Sequence, residues 1–124
     1  MTLLESGEMY LESIYLLLQR SNRVRAVDVA AHMNFSKPSV SRGLGLLRQG
    51  GYLLTDADGY LSLTEAGKAQ AERIYNRHVV IRDMLMRIGV DEETATQDAC
   101  RIEHIISDAT FEAICRHTQH PPKG

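Results

Sequence analysis

Cys100, Glu103 and His104 stand at offsets of zero, three and four in the stretch DACRIEHIISD, residues 98 to 108. The stretch reads as helix, and a helix turning about 100° per residue puts these three side chains on one face within one turn. A thiol, a carboxylate and an imidazole are the side-chain types that hold transition metals. Each also has an ordinary structural role, and a lone cysteine most often packs as a small apolar residue. The triplet is harder to explain in that way, because a buried carboxylate and imidazole need partners. Three more residues have the chemistry to join it. Met9 and Glu12 lie three apart in EMYLESIYLLLQ, and His78 follows Arg77 in RHVVIRDML. A core methionine and an internally satisfied histidine are the competing readings of Met9 and His78. Cys115, His117 and His120 form another cluster, but beside PPKG they read as the end of the chain rather than a site. No nucleophile pair and no base beside an open metal position stand out, so an enzyme is not expected.

These residues need a scaffold. The chain has 124 residues, 44% of them hydrophobic and 24% charged, with a formal net charge of −2. That suits one compact domain or two small ones, and it excludes a disordered tail or a polybasic membrane binder. Any nucleic-acid reading must rest on local charge. Two cysteines make no disulfide framework. With no 18-residue apolar run and no basic segment before an apolar stretch, the expectation is a cytoplasmic protein with reduced thiols and no membrane partner.

Apolar spacing over Glu8 to Gln19 predicts a first helix. RSNRVRA, with Arg20, Arg23 and Arg25, breaks it, and AVDVAAHM forms a short second helix before a turn at Asn34 and Phe35. Ser36 as N-cap and Pro38 in the first turn open a third helix, which Gly50-Gly51 ends. Two alternating runs around Asp58-Gly59 predict a hairpin. Thr64 caps a long helix closed by Gly89, Asp91 caps the helix of the Cys-Glu-His triplet, and Asp108 caps a last helix, ATFEAICRHT. The fold class is therefore mainly α: a winged helix-turn-helix with a two-stranded wing over residues 1–64, then a helical metal-binding and dimerisation domain over 65–124.

The helix order with its hairpin is that of a DNA reader. Its recognition helix would present Lys37, Ser39, Ser41 and Arg42 to the major groove of double-stranded DNA, with Arg42 able to fork onto a guanine edge. Arg23 and Arg25, with Arg20, would lie near the phosphate backbone. Gly43 and Gly45 sit oddly in that helix, since each weakens it by about 1 kcal/mol relative to alanine. They admit a close approach, either of DNA or of another helix.

Several motifs together carry a resemblance: EMYLESIY, KPSVSRGLGLL, GYLSLTEAGKAQA, RHVVIRDML before IGVDEE, and DACRIEHIISD. In this order the chain resembles the diphtheria-toxin-repressor-like family of metal-dependent transcriptional repressors over nearly its whole length. The resemblance implies a homodimer that binds a palindromic operator when metal is bound. It also implies Met9, Cys100, Glu103 and His104 as ligands like those of iron-responsive members. His78 would match a second-site ligand, and Glu12 a ligand of manganese-responsive members. The chain departs from the family where iron-type members carry a second-site glutamate, having Arg82 there, and its 124 residues do not reach their SH3-like domain. The second site is then either lost or rebuilt with Glu12. Thioether and thiolate donors move the expected metal toward Fe²⁺, with Mn²⁺ second and Zn²⁺, Co²⁺ and Ni²⁺ able to bind by raw affinity. Ile81, Met84, Leu85, Ile88, Ile102, Ile105, Ile106, Phe111 and Ile114 exceed what one small core buries, and so point to a dimer built from the helices after Ala66. The rival readings are a winged-helix regulator that answers a non-metal ligand and, from another class, a small metalloenzyme.

Overall fold

Local chemistry sets the element boundaries. The computed structural model describes the backbone of residues 5–123 and the side chains of residues 6–118. In chain order it contains α1 (Glu5–Arg20), α2 (Ala26–Met33), α3 (Lys37–Gln49), β1 (Leu53–Thr55), β2 (Leu61–Leu63), α4 (Glu65–Arg87), α5 (Glu92–Ile102) and α6 (Asp108–Lys123). These form two compact units, Met1–Glu72 and Arg73–Gly124. The mainly helical class with a two-stranded wing is therefore observed.

In the first unit, Asn34 ends α2 in the left-handed region at φ 58°. Asparagine tolerates that conformation better than most residues. Ser36 then caps α3, its Oγ accepting from the Ser39 amide at 3.3 Å, and Pro38 lies in the first turn, where no N–H is needed. The buried stripe of α3 is Val40, Leu44 and Leu47. It packs with Leu11 and Ile14 of α1, Val29 of α2 and Leu53 and Leu61 of the hairpin in one apolar core. Each such side chain contributes about 1.5–3 kcal/mol when fully buried. The strands pair antiparallel, Leu53 opposite Leu63 and Thr55 opposite Leu61. At the tip, Asp56 Oδ1 accepts from the amides of Asp58 and Tyr60, both at 2.9 Å, and Gly59 takes φ 88°. The Leu61 amide donates to the Val24 carbonyl at 2.7 Å, which ties the wing to the segment before α2.

Thr64 joins the hairpin to α4. Its hydroxyl donates to the Gly51 carbonyl at 2.6 Å and accepts from the Gly67 amide at 3.0 Å. The approach is close, since a Cβ on Gly67 would lie 2.0 Å from the Tyr52 carbonyl oxygen.

In the second unit, Ile74, Arg77 and Ile81 of α4 and Ala95 and Ala99 of α5 are buried. Asp91 caps α5 through an Oδ2 that accepts from the Thr94 amide at 3.1 Å. The helix expected through residue 108 ends at Ile102, and the chain tightens into a turn in which the His104 amide donates to the Arg101 carbonyl at 3.4 Å. The cause lies in the next cap. Ser107 caps α6, its Oγ accepting from the Thr110 amide at 3.1 Å, and an N-cap must leave helical geometry. Asp108, expected as the cap, instead pairs with Arg77. Helix α6 also continues past Thr118, the end that its pattern predicts. Of the apolar surplus, Ile81 is fully buried, while Ile88 and Ile105 are exposed.

Two glycines give opposite expectations. Gly67→Ala pushes a Cβ against backbone and should lower unfolding free energy by about 3 kcal/mol, the upper end for overpacking. A Cβ added at Gly45 would have nothing within 4 Å, so Gly45→Ala should raise stability by about 1 kcal/mol through helix propensity. Urea unfolding of both variants checks the pair, and a Gly67→Ala protein as stable as wild type would contradict the close approach.

Candidate metal centre and nucleic-acid interface

In the second unit, α5 and the turn after it bring Cys100, Glu103 and His104 together. One potential ligand atom from each lies within 4.8 Å of the others. Glu103 is 2% exposed, the His104 side chain is 2% exposed, and Cys100 is half-buried. Although α5 ends at Ile102, Glu103 keeps helical angles (φ −58°, ψ −24°) and its amide donates to the Ala99 carbonyl at 2.9 Å. The three side chains therefore hold the face that the spacing predicts. His78 of α4 reaches the same carboxylate, with its Nδ1 3.2 Å from Glu103 Oε1. His104 Nε2 lies 3.9 Å from that oxygen. Glu103 Oε2 is buried with no hydrogen-bond partner among the described residues. A buried acceptor without a donor is costly, and a cation beside two imidazoles and a thiol would satisfy it. The residues present thus fit a divalent transition metal.

Met9 is half-buried and Glu12 is buried at 6% exposure, both on α1 of the first unit. Arg82, where the resemblance implies a second-site glutamate, pairs with its neighbour Asp83 at 3.4 Å. Of the C-terminal cluster, Cys115 is half-buried and His117 exposed, while the His120 side chain lies outside the described residues.

The sequence alone assigns no role to Arg77. It is 6% exposed, and its guanidinium donates to the Ile106 carbonyl at 3.1 Å and, more weakly, to the Glu103 carbonyl at 3.5 Å. The same group pairs with Asp108 and lies over the Phe111 ring, 5.0 Å from its centroid. Arg77 thus holds the main chain of the Glu103–Ile106 turn, while its neighbour His78 holds the Glu103 side chain. A surface arginine and this one look alike in sequence; adjacency to His78 is the one available signal.

In the first unit, Arg23, Arg25, Lys37, Ser39, Ser41 and Arg42 are all exposed. Lys37, Ser39, Ser41 and Arg42 lie in the first two turns of α3. Two of the six have internal partners. Ser39 Oγ accepts from Ser36 Oγ at 2.9 Å, and the Arg25 guanidinium stacks on Tyr60 at 4.4 Å. Arg25 therefore braces the wing as well as facing solvent.

Residues 2–61 match the N-terminal DNA-binding domain of iron-dependent repressors, and residues 64–123 match the metal-binding and dimerisation domain of the same proteins. This chain belongs to the iron-dependent repressor family. Within that family it is 33% identical over 112 residues to an uncharacterised helix-turn-helix transcriptional regulator of Methanocaldococcus jannaschii, covering 89% of this chain and 90% of that one. It is 34% identical over 109 residues to the helix-turn-helix transcriptional regulator MntR of Lysinibacillus sphaericus, covering 88% and 78%. Among solved structures it is similar to the manganese regulator SloR, with a TM-score of 0.82, 28% identity and 98% of this chain covered. The chain spans 56% of that longer relative. No helix among the described residues is long and apolar enough to cross a membrane.

Two expectations follow for this repressor-family chain. Arg77→Met leaves the turn's carbonyls without their donor. It should lower stability by about 2 kcal/mol and metal affinity about tenfold, read by urea unfolding and metal titration. Wild-type metal affinity in a folded Arg77→Met protein would show that the turn holds itself. The second concerns acid. The Asp91 carboxyl is held below the usual carboxylate range, chiefly by the hydrogen bond from the Thr94 amide. A depressed pKa contributes stability that is full above the unfolded value and is lost as pH falls through the folded one. Asp91→Asn keeps an accepting oxygen but does not titrate there, so acid unfolding of the wild type should contain a component that this variant lacks.

Proposed function

We propose that this chain is a metal-dependent transcriptional repressor that binds a palindromic operator as a homodimer, most responsive to Fe²⁺. The reading rests chiefly on the buried Glu103 carboxylate, flanked by His78, His104 and Cys100 and keeping one oxygen without a hydrogen-bond donor. In this reading Met9 and Glu12 of α1 complete the ligand set, and residues 65–124 carry both that set and the dimer contact. Ile88 and Ile105 are exposed apolar side chains that a partner copy would cover. A divalent ion, when bound, would supply one positive centre for these thiol, thioether, imidazole and carboxylate donors. With Met9 and Glu12 as ligands, α1 would be held in a single position, and the helices packed on α1 would present α3 at one spacing. Half-sites about 34–36 Å apart demand a defined spacing between the two recognition helices. A shift from 1% to 99% competent dimer needs about 5.5 kcal/mol of differential metal affinity, within reach of a site with several protein ligands.

A second reading, the Mn²⁺-responsive repressor, is favoured by Glu12, a hard donor, and by the likeness to a manganese regulator. Met9 and Cys100 are the sulfur donors that argue for Fe²⁺, with Zn²⁺, Co²⁺ and Ni²⁺ expected to bind in vitro. Anaerobic titrations with Fe²⁺ and Mn²⁺, read by stoichiometry and by binding to duplexes selected from a random pool, separate the two. Cys100→Ala and His104→Ala should abolish metal-dependent DNA binding, and Met9→Asp should shift preference toward Mn²⁺. Arg42→Ala should weaken selected-site binding by about 1–3 kcal/mol more than non-specific binding, whereas Arg23→Ala should weaken both alike. Wild-type binding equally tight in excess chelator would leave the metal-independent regulator in its place.

A further inference from the structure

Tyr10 lies on α1 between Met9 and Glu12, and its ring reaches the recognition helix. The side chain is 6% exposed. Its hydroxyl donates to the Ser39 carbonyl at 3.2 Å. Its ring lies against Gly43 so closely that a Cβ there would sit 2.3 Å from Cε2 and 2.6 Å from Cδ2. The ring also meets Phe35 edge-on, with centroids 6.1 Å apart and planes at 83°. Ser39 and Gly43 are one helical turn apart, and Phe35 lies in the bend that leads into α3. One tyrosine therefore touches the entry of α3, a main-chain carbonyl of its first turn and the backbone one turn on. The gripped turn carries Ser39, Ser41 and Arg42.

Gly43 and Gly45 pose the same puzzle in sequence, and their surroundings part them. A side chain at 45 would meet open space, whereas one at 43 would strike the tyrosine ring. The ring is flat and stiff, and its hydroxyl is fixed to a helix carbonyl, so a shift of α1 at Tyr10 cannot be absorbed by a rotamer change without losing that bond. A flexible leucine or methionine in its place would slide.

We propose that Tyr10 is a positioning residue that carries the setting of α1 into the recognition helix, with Gly43 the gap that seats its ring. The assignment rests on the metal-dependent reading above. An ordinary core tyrosine would stabilise the metal-free and metal-loaded first unit equally; a coupling tyrosine sets how much metal changes DNA affinity.

The test uses the full chain and a duplex that the wild type selects from a random pool with Mn²⁺. Affinity is measured in saturating Mn²⁺ and in chelator, and their ratio is the metal response. Gly43→Ala should cut that ratio about tenfold, a typical coupling magnitude. Tyr10→Phe keeps the ring, loses the bond to Ser39, and should cut it about threefold. In a Tyr10→Leu background, adding Gly43→Ala should change nothing further, since the atoms it would strike are gone. Gly45→Ala should keep the wild-type ratio. Equal loss of affinity with and without Mn²⁺ in Gly43→Ala, or a wild-type ratio in Tyr10→Phe, would overturn the proposal. If Gly43→Ala does not fold, Tyr10→Phe decides alone. A wild type with no metal response removes the functional reading and this proposal together, and that failure is seen before any variant is made.

Discussion

A carboxylate without water around it is the constraint on which the second unit depends. Glu103 is 2% exposed, shares one oxygen with His78 and keeps the other without a hydrogen-bond donor among the described residues. Taking a carboxylate out of water costs several kcal/mol even after relaxation, and single partners rarely repay it. The surrounding chain can be understood as support for that one group. His78 approaches from α4, Cys100 and His104 flank it along the chain, and Arg77 anchors the main chain on which it sits. A fold needing stability alone would place an apolar residue there. Retaining the carboxylate makes sense where a cation completes it.

The adjacent pair Arg77 and His78 divides that task by helix geometry. Neighbours on a helix point about 100° apart, so one cannot duplicate the other. Arg77 turns to the carbonyls that close α5 and to Asp108 at the start of α6, and His78 turns to the carboxylate. Lysine would not replace Arg77, because the contacts spread over two nitrogens of one planar fork. The amides of the turn after α5 bond back to carbonyls of that helix, and the Glu103 and Ile106 carbonyls, with no helix continuing past them, accept from this side chain. The metal face and the link to α6 are therefore one construction.

Much of this is legible in the sequence because caps and turns are written in local chemistry. Ser36 and Asp91 cap where their side chains predict, Gly59 supplies the positive φ of the wing, and the offsets of Cys100, Glu103 and His104 place them together. What is not legible depends on who packs against whom. The end of α5 at Ile102 is hidden because a tightening turn keeps the same face as a helix over one or two residues. Asp108 reads as a cap since serine and aspartate cap equally well, and a distant arginine decides between Ser107 and Asp108. Gly43 and Gly45 carry identical local signals, and a tyrosine on α1, far earlier in the chain, separates them.

Charge bears on how the proposed metal switch would work. With a net charge of −2, its basic residues in the first unit must act locally, and two of them also hold the wing. Arg25 stacks on Tyr60 and Arg48 donates to Thr55 at 2.9 Å, so both brace the wing. The wing tip carries exposed Asp56 and Asp58, which phosphates repel. Non-specific affinity for DNA scales with the phosphates neutralised, and Arg20, Arg23, Lys37 and Arg42 are exposed cations placed to neutralise them. A protein rich in phosphate contacts would remain on DNA whatever the spacing of its recognition helices. In the proposed reading, specific affinity would depend on both α3 helices seating together, and a modest change in how α1 is held would become a large change in occupancy.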